Sequence, residues 1–251
     1  MQNVQSLNYL HFQFTMLALE FKAVAKSFAR VTALSKLDLD VPVGSIFALV
    51  GINGAGKTTL MKCLLDFCDL DSGHIEIFGV SHRVPHARSR LSFLPERFNP
   101  PFYLTGRDFL RYLLKLHGRG YYEAETDAML EDLNLDRRAL KQPVREYSKG
   151  MTQKLGLAAC FLAHKDLYVL DEPLSGLDPK THAVAKQLLL RIRQAGGTVF
   201  LTSHSLADVA EICDGMALLH EGRVLFSGPP AELCKRYNGA DLEQAFLQCI
   251  A

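Results

Sequence analysis

Gly51-Ile52-Asn53-Gly54-Ala55-Gly56-Lys57-Thr58-Thr59 is the stretch that decides the fold. It fits the phosphate-binding pattern G-x-x-x-x-G-K-[ST], with Gly51, Gly56, Lys57 and Thr58 in the required places. Its flanks suit the mechanism. Ser45-Ile46-Phe47-Ala48-Leu49-Val50 is a short apolar run of strand type, and Leu60-Met61-Lys62-Cys63-Leu64-Leu65 reads as a helix. A strand, a glycine turn and a helix start together aim backbone N–H groups and the positive end of a helix dipole at one anion. Asn53, Gly54, Ala55, Gly56 and Thr59 complete that cradle. Lys57 is placed to reach the β- and γ-phosphates of a nucleotide, and the Thr58 hydroxyl to ligate Mg²⁺. The plain alternative is a glycine-rich turn with a chance lysine; the correct flanks count against it.

The rest of the chain bounds this reading. Its 251 residues are 48% apolar and 22% charged, ordinary globular composition that supplies a real core. A net charge of +1 leaves no broad basic field for nucleic acid. No apolar run approaches the roughly 18 residues of a membrane span, so direct membrane insertion is not expected. The six cysteines form no C-x-x-C pair, and they read as reduced thiols acting as small hydrophobes. Residues 1–15 show no clear period and lack the charged start and apolar core of a secretory signal. They are expected to be an N-terminal extension or a misassigned start, with a single domain over 16–251.

Further strand-like runs occur at Leu91–Leu94, Leu167–Leu170, Thr198–Leu201 and Met216–Leu219. Near-continuous apolar runs separated by helical stretches predict a buried, mostly parallel sheet. The polar alternation over 17–28 and 37–43 predicts a half-exposed antiparallel sheet instead. From about residue 100 to 162 the pattern turns helical. Thr105 with Asp108 forms a capping-box-like start, followed by Phe109, Leu110, Leu113 and Leu114 on one face. The fold class is therefore α/β, with a mostly parallel core sheet, an antiparallel β subdomain and an inserted α-helical subdomain.

The run Leu167–Leu170 ends in Asp171-Glu172. A buried parallel strand delivers such carboxylates to the sheet edge where the phosphate loop also lies. Asp171 then serves the metal's hydration shell, and Glu172 polarises a water in line with the γ-phosphate. Alone, an apolar run plus Asp-Glu is a common strand end; paired with the phosphate loop it becomes specific.

Other segments complete a resemblance. Tyr147-Ser148-Lys149-Gly150-Met151 looks like the signature motif of ABC-type ATPases, and Ser175-Gly176-Leu177-Asp178 resembles their D-loop. His204, in Leu201-Thr202-Ser203-His204, resembles their switch histidine. Phe28 lies where the family places an aromatic ring against adenine, although from the residue alone it reads equally well as sheet core. His204 also reads as a surface histidine, and Ser148 as a helix N-cap. The ordered set resembles a P-loop NTPase of this family from Leu17 to about residue 225.

The resemblance implies catalytic roles for Lys57, Glu172 and His204, and ATP with Mg²⁺ as cofactors. It also implies that Ser148, Gly150 and Asp178 serve the ATP held mainly by a second subunit, so that two copies close head to tail. Two positions depart from the family pattern. Lys149 and Met151 replace the usual signature residues, and Glu96 stands where a metal-contacting glutamine is common. Glu96 is still able to bind the hydrated metal but adds repulsion toward the γ-phosphate.

By the same resemblance the chain is expected to be a cytoplasmic subunit on the inner face of the membrane, powering a separate integral-membrane permease. The loop Arg97-Phe98-Asn99-Pro100-Pro101-Phe102-Tyr103-Leu104 suits a docking pocket, or else a proline-fixed loop packed on its own helices. The terminal stretch Asp241–Leu247 looks like the short last helix of exporter-type subunits, so export is the preferred direction. The alternative is a soluble ABC ATPase of an assembly complex, such as iron–sulfur cluster biogenesis. A GTPase is excluded because no guanine-reading Asn-Lys-x-Asp segment occurs.

Overall fold

The computed structural model describes residues 16–250; the expectations for residues 1–15 lie outside the described residues. Elements follow in chain order. Strands β1 (Leu17–Phe28), β2 (Val31–Pro42) and β3 (Ile46–Val50) lead through the phosphate loop to helix α1 (Lys57–Leu64). Next come β4 (Ser72–Ile77), β5 (Val80–Ser81), the single turn α2 (Pro85–Arg88) and β6 (Leu91–Leu94). The helical insert holds α3 (Gly106–Leu116), α4 (Glu123–Asp132), two 3-10 turns (Arg137–Lys141 and Val144–Glu146) and α5 (Lys149–Leu162). The chain then runs through β7 (Leu167–Asp171), α6 (Pro179–Gln194), β8 (Thr198–Thr202), α7 (Leu206–Ile212), β9 (Gly215–His220) and β10 (Arg223–Gly228). It ends in α8 (Pro230–Tyr237) and α9 (Leu242–Ile250).

Two sheets result, and their sequence patterns explain why. The six-stranded sheet has the order β10-β9-β3-β8-β7-β6, parallel except for the β9–β10 hairpin. Every residue of β3, β7 and β8 is buried, as expected of strands covered on both faces. The four-stranded sheet, β2-β1-β4-β5, is antiparallel throughout. Its inward side chains Leu19, Phe21, Leu37, Leu39 and Ile75 alternate with exposed polar ones, so only one face meets the core. Strand β4 escaped the sequence reading because only Ile75 and Ile77 mark its buried face.

The core divides accordingly. One cluster lies between the antiparallel sheet, α1 and one face of the parallel sheet, around Phe21, Phe47 and Phe200. The other joins the opposite face to the helical insert and to α6–α9. Helix α5 is buried along its whole last ten residues. Gly156 allows its closest approach: a Cβ there would lie 2.7 Å from Leu94 Cδ1 and 2.9 Å from Phe98 Cδ1.

Helix α3 starts as the sequence predicts. Thr105 Oγ1 accepts from the Asp108 N–H at 3.2 Å and donates to Asp108 Oδ2 at 2.6 Å. The cysteines are all free thiols; burial pushes Cys63, Cys160 and Cys213 up to about 12. No helix among the described residues is long and apolar enough to cross a membrane.

Candidate nucleotide site

The phosphate loop leaves β3 and turns into α1 through backbone shapes that demand glycine. Gly54 and Gly56 take φ of 84° and 113°, the left-handed side that penalises a Cβ. At Gly56 a Cβ would also meet the Ala33 carbonyl at 2.6 Å, and at Gly51 the Leu219 carbonyl at 2.2 Å. The loop is thus seated against β2 and the β9–β10 hairpin, and Gly222 N–H donates to Ala55 O at 3.0 Å. Lys57 folds back over the loop, its Nζ donating to Gly51 O at 2.6 Å and Ile52 O at 3.2 Å.

Facing this loop is the end of β7. Asp171 is buried, and Thr202 Oγ1 from β8 donates to its Oδ1 at 2.6 Å. The same Thr202 oxygen accepts the Glu172 N–H at 2.9 Å, so one hydroxyl holds both acidic residues in place. Glu172 adopts φ of 53°, a strained conformation for a residue with a side chain, and this turns the chain away from the strand end. His204 Nδ1 lies 2.7 Å from Glu172 Oε2. The Glu172 side chain is only 14% exposed, whereas His204 is 71% exposed and free to reorient.

The electrostatics follow from crowding at this edge. Burial lowers the Lys57 ammonium below its ordinary pKa, opposed by the charges of Glu172, Asp171 and Glu96. Burial raises the Asp171 carboxyl, and Glu96 raises it further while Thr202 and Lys57 pull it down. A site that mixes one constrained cation with three carboxylates has an excess of negative charge, which a divalent cation would neutralise.

An open cleft of about 560 Å³ brings these groups together. Its walls include Asn53, Gly54, Gly56, Lys57, Thr58 and Thr59 on one side, and Glu96, Asp171, Glu172 and His204 on the other. Ser175 and the residues Val31, Thr32 and Ala33 close it. Ala55 is buried beneath the loop and supplies backbone only. The donor set fits an Mg²⁺–triphosphate: hard oxygens from Thr58, Asp171 and Glu96, beside a lysine and a helix N-terminus.

The remaining sequence-derived residues fall elsewhere. Phe28 is not core: it is 49% exposed at the tip of the β1–β2 hairpin, with Lys26 Nζ 5.3 Å from its ring centroid. It does not line the cleft, where its neighbours Val31 and Thr32 do. Ser148 caps α5, accepting from the Met151 N–H at 3.2 Å, and neither it nor Gly150 reaches the cleft. Gly150 faces the D-loop instead; a Cβ there would lie 3.7 Å from Gly176 O. Asp178 caps α6 and pairs with Lys154 at 2.9 Å. A second cleft, of about 610 Å³, lies on this side and is lined by Glu96, Arg97, Tyr147, Lys149, Gln153 and Ser175 among others.

Two supports were missed from sequence. Thr202 stood inside the quoted Leu201–His204 run and could have been found as the polar residue opposite Asp171 on the neighbouring strand. Gln153, which donates to Pro173 O at 3.1 Å, carried no local signal.

A phosphate loop at the end of a parallel strand, with two carboxylates on a nearby strand end, defines the class of P-loop NTPases. The chain belongs to the ABC transporter family: the family profile matches residues 34–175, more than half of its length. An uncharacterized ABC transporter ATP-binding protein of Synechocystis is 37% identical over 218 residues, 85% of this chain and 61% of that protein. The chain thus spans less than two thirds of that relative's length. The bacitracin transport ATP-binding protein BcrA of Enterococcus faecalis is 34% identical over 87% of this chain and 71% of its own. A solved ATP-binding subunit of an ABC transporter superposes with a TM-score of 0.85 at 29% identity, covering 92% of this chain and 99% of that one. These matches support the transport reading over the iron–sulfur assembly alternative.

Proposed function

We propose that the chain binds ATP with Mg²⁺, hydrolyses it, and acts as the ATP-binding subunit of a transporter. In this reading two copies pair over two nucleotides and drive a separate integral-membrane permease, in the export direction. The observation that carries it is the cleft that joins Lys57 and the loop amides to Asp171, Glu172 and His204. Family membership supports ATP as the nucleotide.

The chemistry follows from the geometry. The loop N–H groups and Lys57 hold the phosphates and neutralise charge that builds up as the terminal phosphoryl leaves. Glu172, buried and fixed through its backbone to Thr202, orients a water and takes its proton. His204 bridges from Glu172 to the terminal phosphate, so its position depends on whether that phosphate is present. Thr58, Asp171 and Glu96 would hold Mg²⁺, which supplies Lewis-acid stabilisation of phosphate charge.

Ser148, Gly150 and Asp178 act on the second copy's nucleotide, because in one copy Ser148 and Gly150 stand outside the cleft. The partner is supported by the loop before α3. There Phe98 packs inward on Phe109, with ring centroids 5.5 Å apart. Phe102 and Tyr103 are 65% and 68% exposed and offer a paired aromatic surface to a permease helix. The chain then works in the cytoplasm, at the inner membrane face.

Reconstitution with the permease tests the whole reading. ATP-dependent export that disappears in Phe102→Ala/Tyr103→Ala, with nucleotide binding intact, supports it. Transport unaffected by ATP removal would overturn it.

A further inference from the structure

Helices α5, α6 and α7 are joined by a run of polar contacts, carried from Asp178 to His182 by the backbone of α6, that the nucleotide cleft itself does not use. Lys154, on α5 two turns after Ser148, donates from Nζ to Asn134 O at 3.2 Å and pairs with Asp178 at 2.9 Å. Asp178 is the N-cap of α6, accepting from Thr181 N–H at 3.0 Å and from Thr181 Oγ1 at 2.6 Å. One turn further along α6, His182 Nε2 lies 3.1 Å from Asp208 Oδ2 on α7. The next turn brings Lys186 Nζ to 3.4 Å from Asp208 Oδ1, and Lys186 also pairs with Glu211. Asp208 closes the run: its N–H donates to Ser205 Oγ at 3.3 Å, the cap that follows His204 directly.

Asp208 is the unusual member. It is only 8% exposed, and a carboxylate so deep is costly unless paired. Both of its side-chain partners, His182 and Lys186, come from α6, so the pairing fixes α7 against the helix that starts at the D-loop. Beside it a cavity of about 230 Å³, lined among others by Glu172, Ser203, His204 and Val209, leaves room for the His204 loop to shift. The seam therefore has two rigid helices, a fixed electrostatic latch and space for one loop to move.

We propose that Asp208, latched to His182 and Lys186, is a positioning residue that sets His204 against Glu172 according to the placement of the signature helix α5. The relay runs from Ser148 and Lys154 on α5 through Asp178 and His182 on α6 to Asp208 and His204 on α7. It rests on the hydrolysis reading and adds to it the path by which one copy's signature helix reports to its own catalytic glutamate. Spatial continuity alone does not establish such coupling; non-additive mutation does.

The experiment is a double-mutant cycle on the full chain, with ATP turnover, nucleotide affinity and thermal midpoint measured for each variant. Asp208→Asn, of equal size, is expected to lower kcat about tenfold while leaving ATP affinity within twofold, on the scale of coupling between sites. His182→Arg, which keeps a nitrogen donor opposite Asp208, should retain most of the wild-type rate, whereas His182→Ala should not. In a His204→Ala background, Asp208→Asn should cause no further loss. Independent, additive losses would overturn the relay while leaving ATP hydrolysis standing. Absence of turnover in the wild-type chain would overturn both readings. Equal rates for His182→Arg and His182→Ala would also sink the relay.

Discussion

The phosphate-loop half of the site and the signature half are built differently. The first is complete inside one chain: loop, Lys57, Asp171 and Glu172 line one cleft and brace one another through Thr202 and the backbone. The second is an exposed helix start, with Ser148 capping α5 and Gly150 facing Gly176, and neither residue touches the cleft. Both are helix N-termini suited to anions. Only the first has Asp171 and Glu172 around it. The difference teaches that one half is built as a site within one chain, whereas the other, in the proposed reading, is a closure that a second copy finishes.

Substitutions should separate the two halves. The largest effect belongs to Glu172→Gln: a lost general base lowers hydrolysis by about 10²–10⁴-fold. ATP binding should survive, and light scattering should show an ATP-dependent dimer; a persistent monomer would break the comparison. Lys57→Ala comes next. Removing a charge-assisted contact of about 1.5–3 kcal/mol should weaken ATP affinity by about 10–100-fold in a binding titration of the single chain.

Ser148→Ala should do the reverse, leaving that single-chain affinity within about twofold while turnover at dimer-forming concentrations falls by about tenfold. A loss of single-chain affinity equal to that of Lys57→Ala would show that Ser148 belongs to the first half. Glu96→Gln removes one carboxylate from the crowded cleft. Its turnover should stay within about tenfold of wild type or rise, since repulsion toward the γ-phosphate is relieved.

The smallest effect concerns stability in the absence of nucleotide. Burial raises the folded-state pKa of Asp171, so the folded chain holds this proton at a pH where the unfolded chain has released it. This contribution to stability is therefore present at low pH and is lost as pH rises from the unfolded carboxylate value through the raised folded one. Asp171→Asn removes the dependence. It should raise the neutral-pH melting midpoint by about 2 °C or more. A midpoint that falls would show that the bond from Thr202 outweighs the burial cost.

The two halves were not equally legible in the sequence. The phosphate loop and the Asp171 strand end are local patterns, because strand, turn and helix must follow one another in the chain to make an anion site. The parallel strands were legible for the same reason: a strand buried on both faces reads as one apolar run, as at Leu167–Leu170. Phe28 was not. Its period suits a core, yet it sits at a hairpin tip, and only the register that pairs it with Val31 reveals this. The inward turn of Phe98 was equally hidden, since it depends on a missing side chain at Gly156, in another element. Thr202 and Asp208 meet their partners across strands or helices distant in sequence, so Thr202 becomes legible only once β7 and β8 are paired and Asp208 left no local signal.

The contact at Gly156 has a mechanical consequence. Helix α5 rests directly on Phe98 and Leu94, with no side chain of its own between them. Glu96 and the Phe102–Tyr103 pair lie on either side of Phe98 in the same segment. A strut seated without padding transmits displacement instead of absorbing it. A push on the exposed aromatics therefore travels into the helix that carries Ser148, and the stiffness of that linkage is set by the absence of one methyl group.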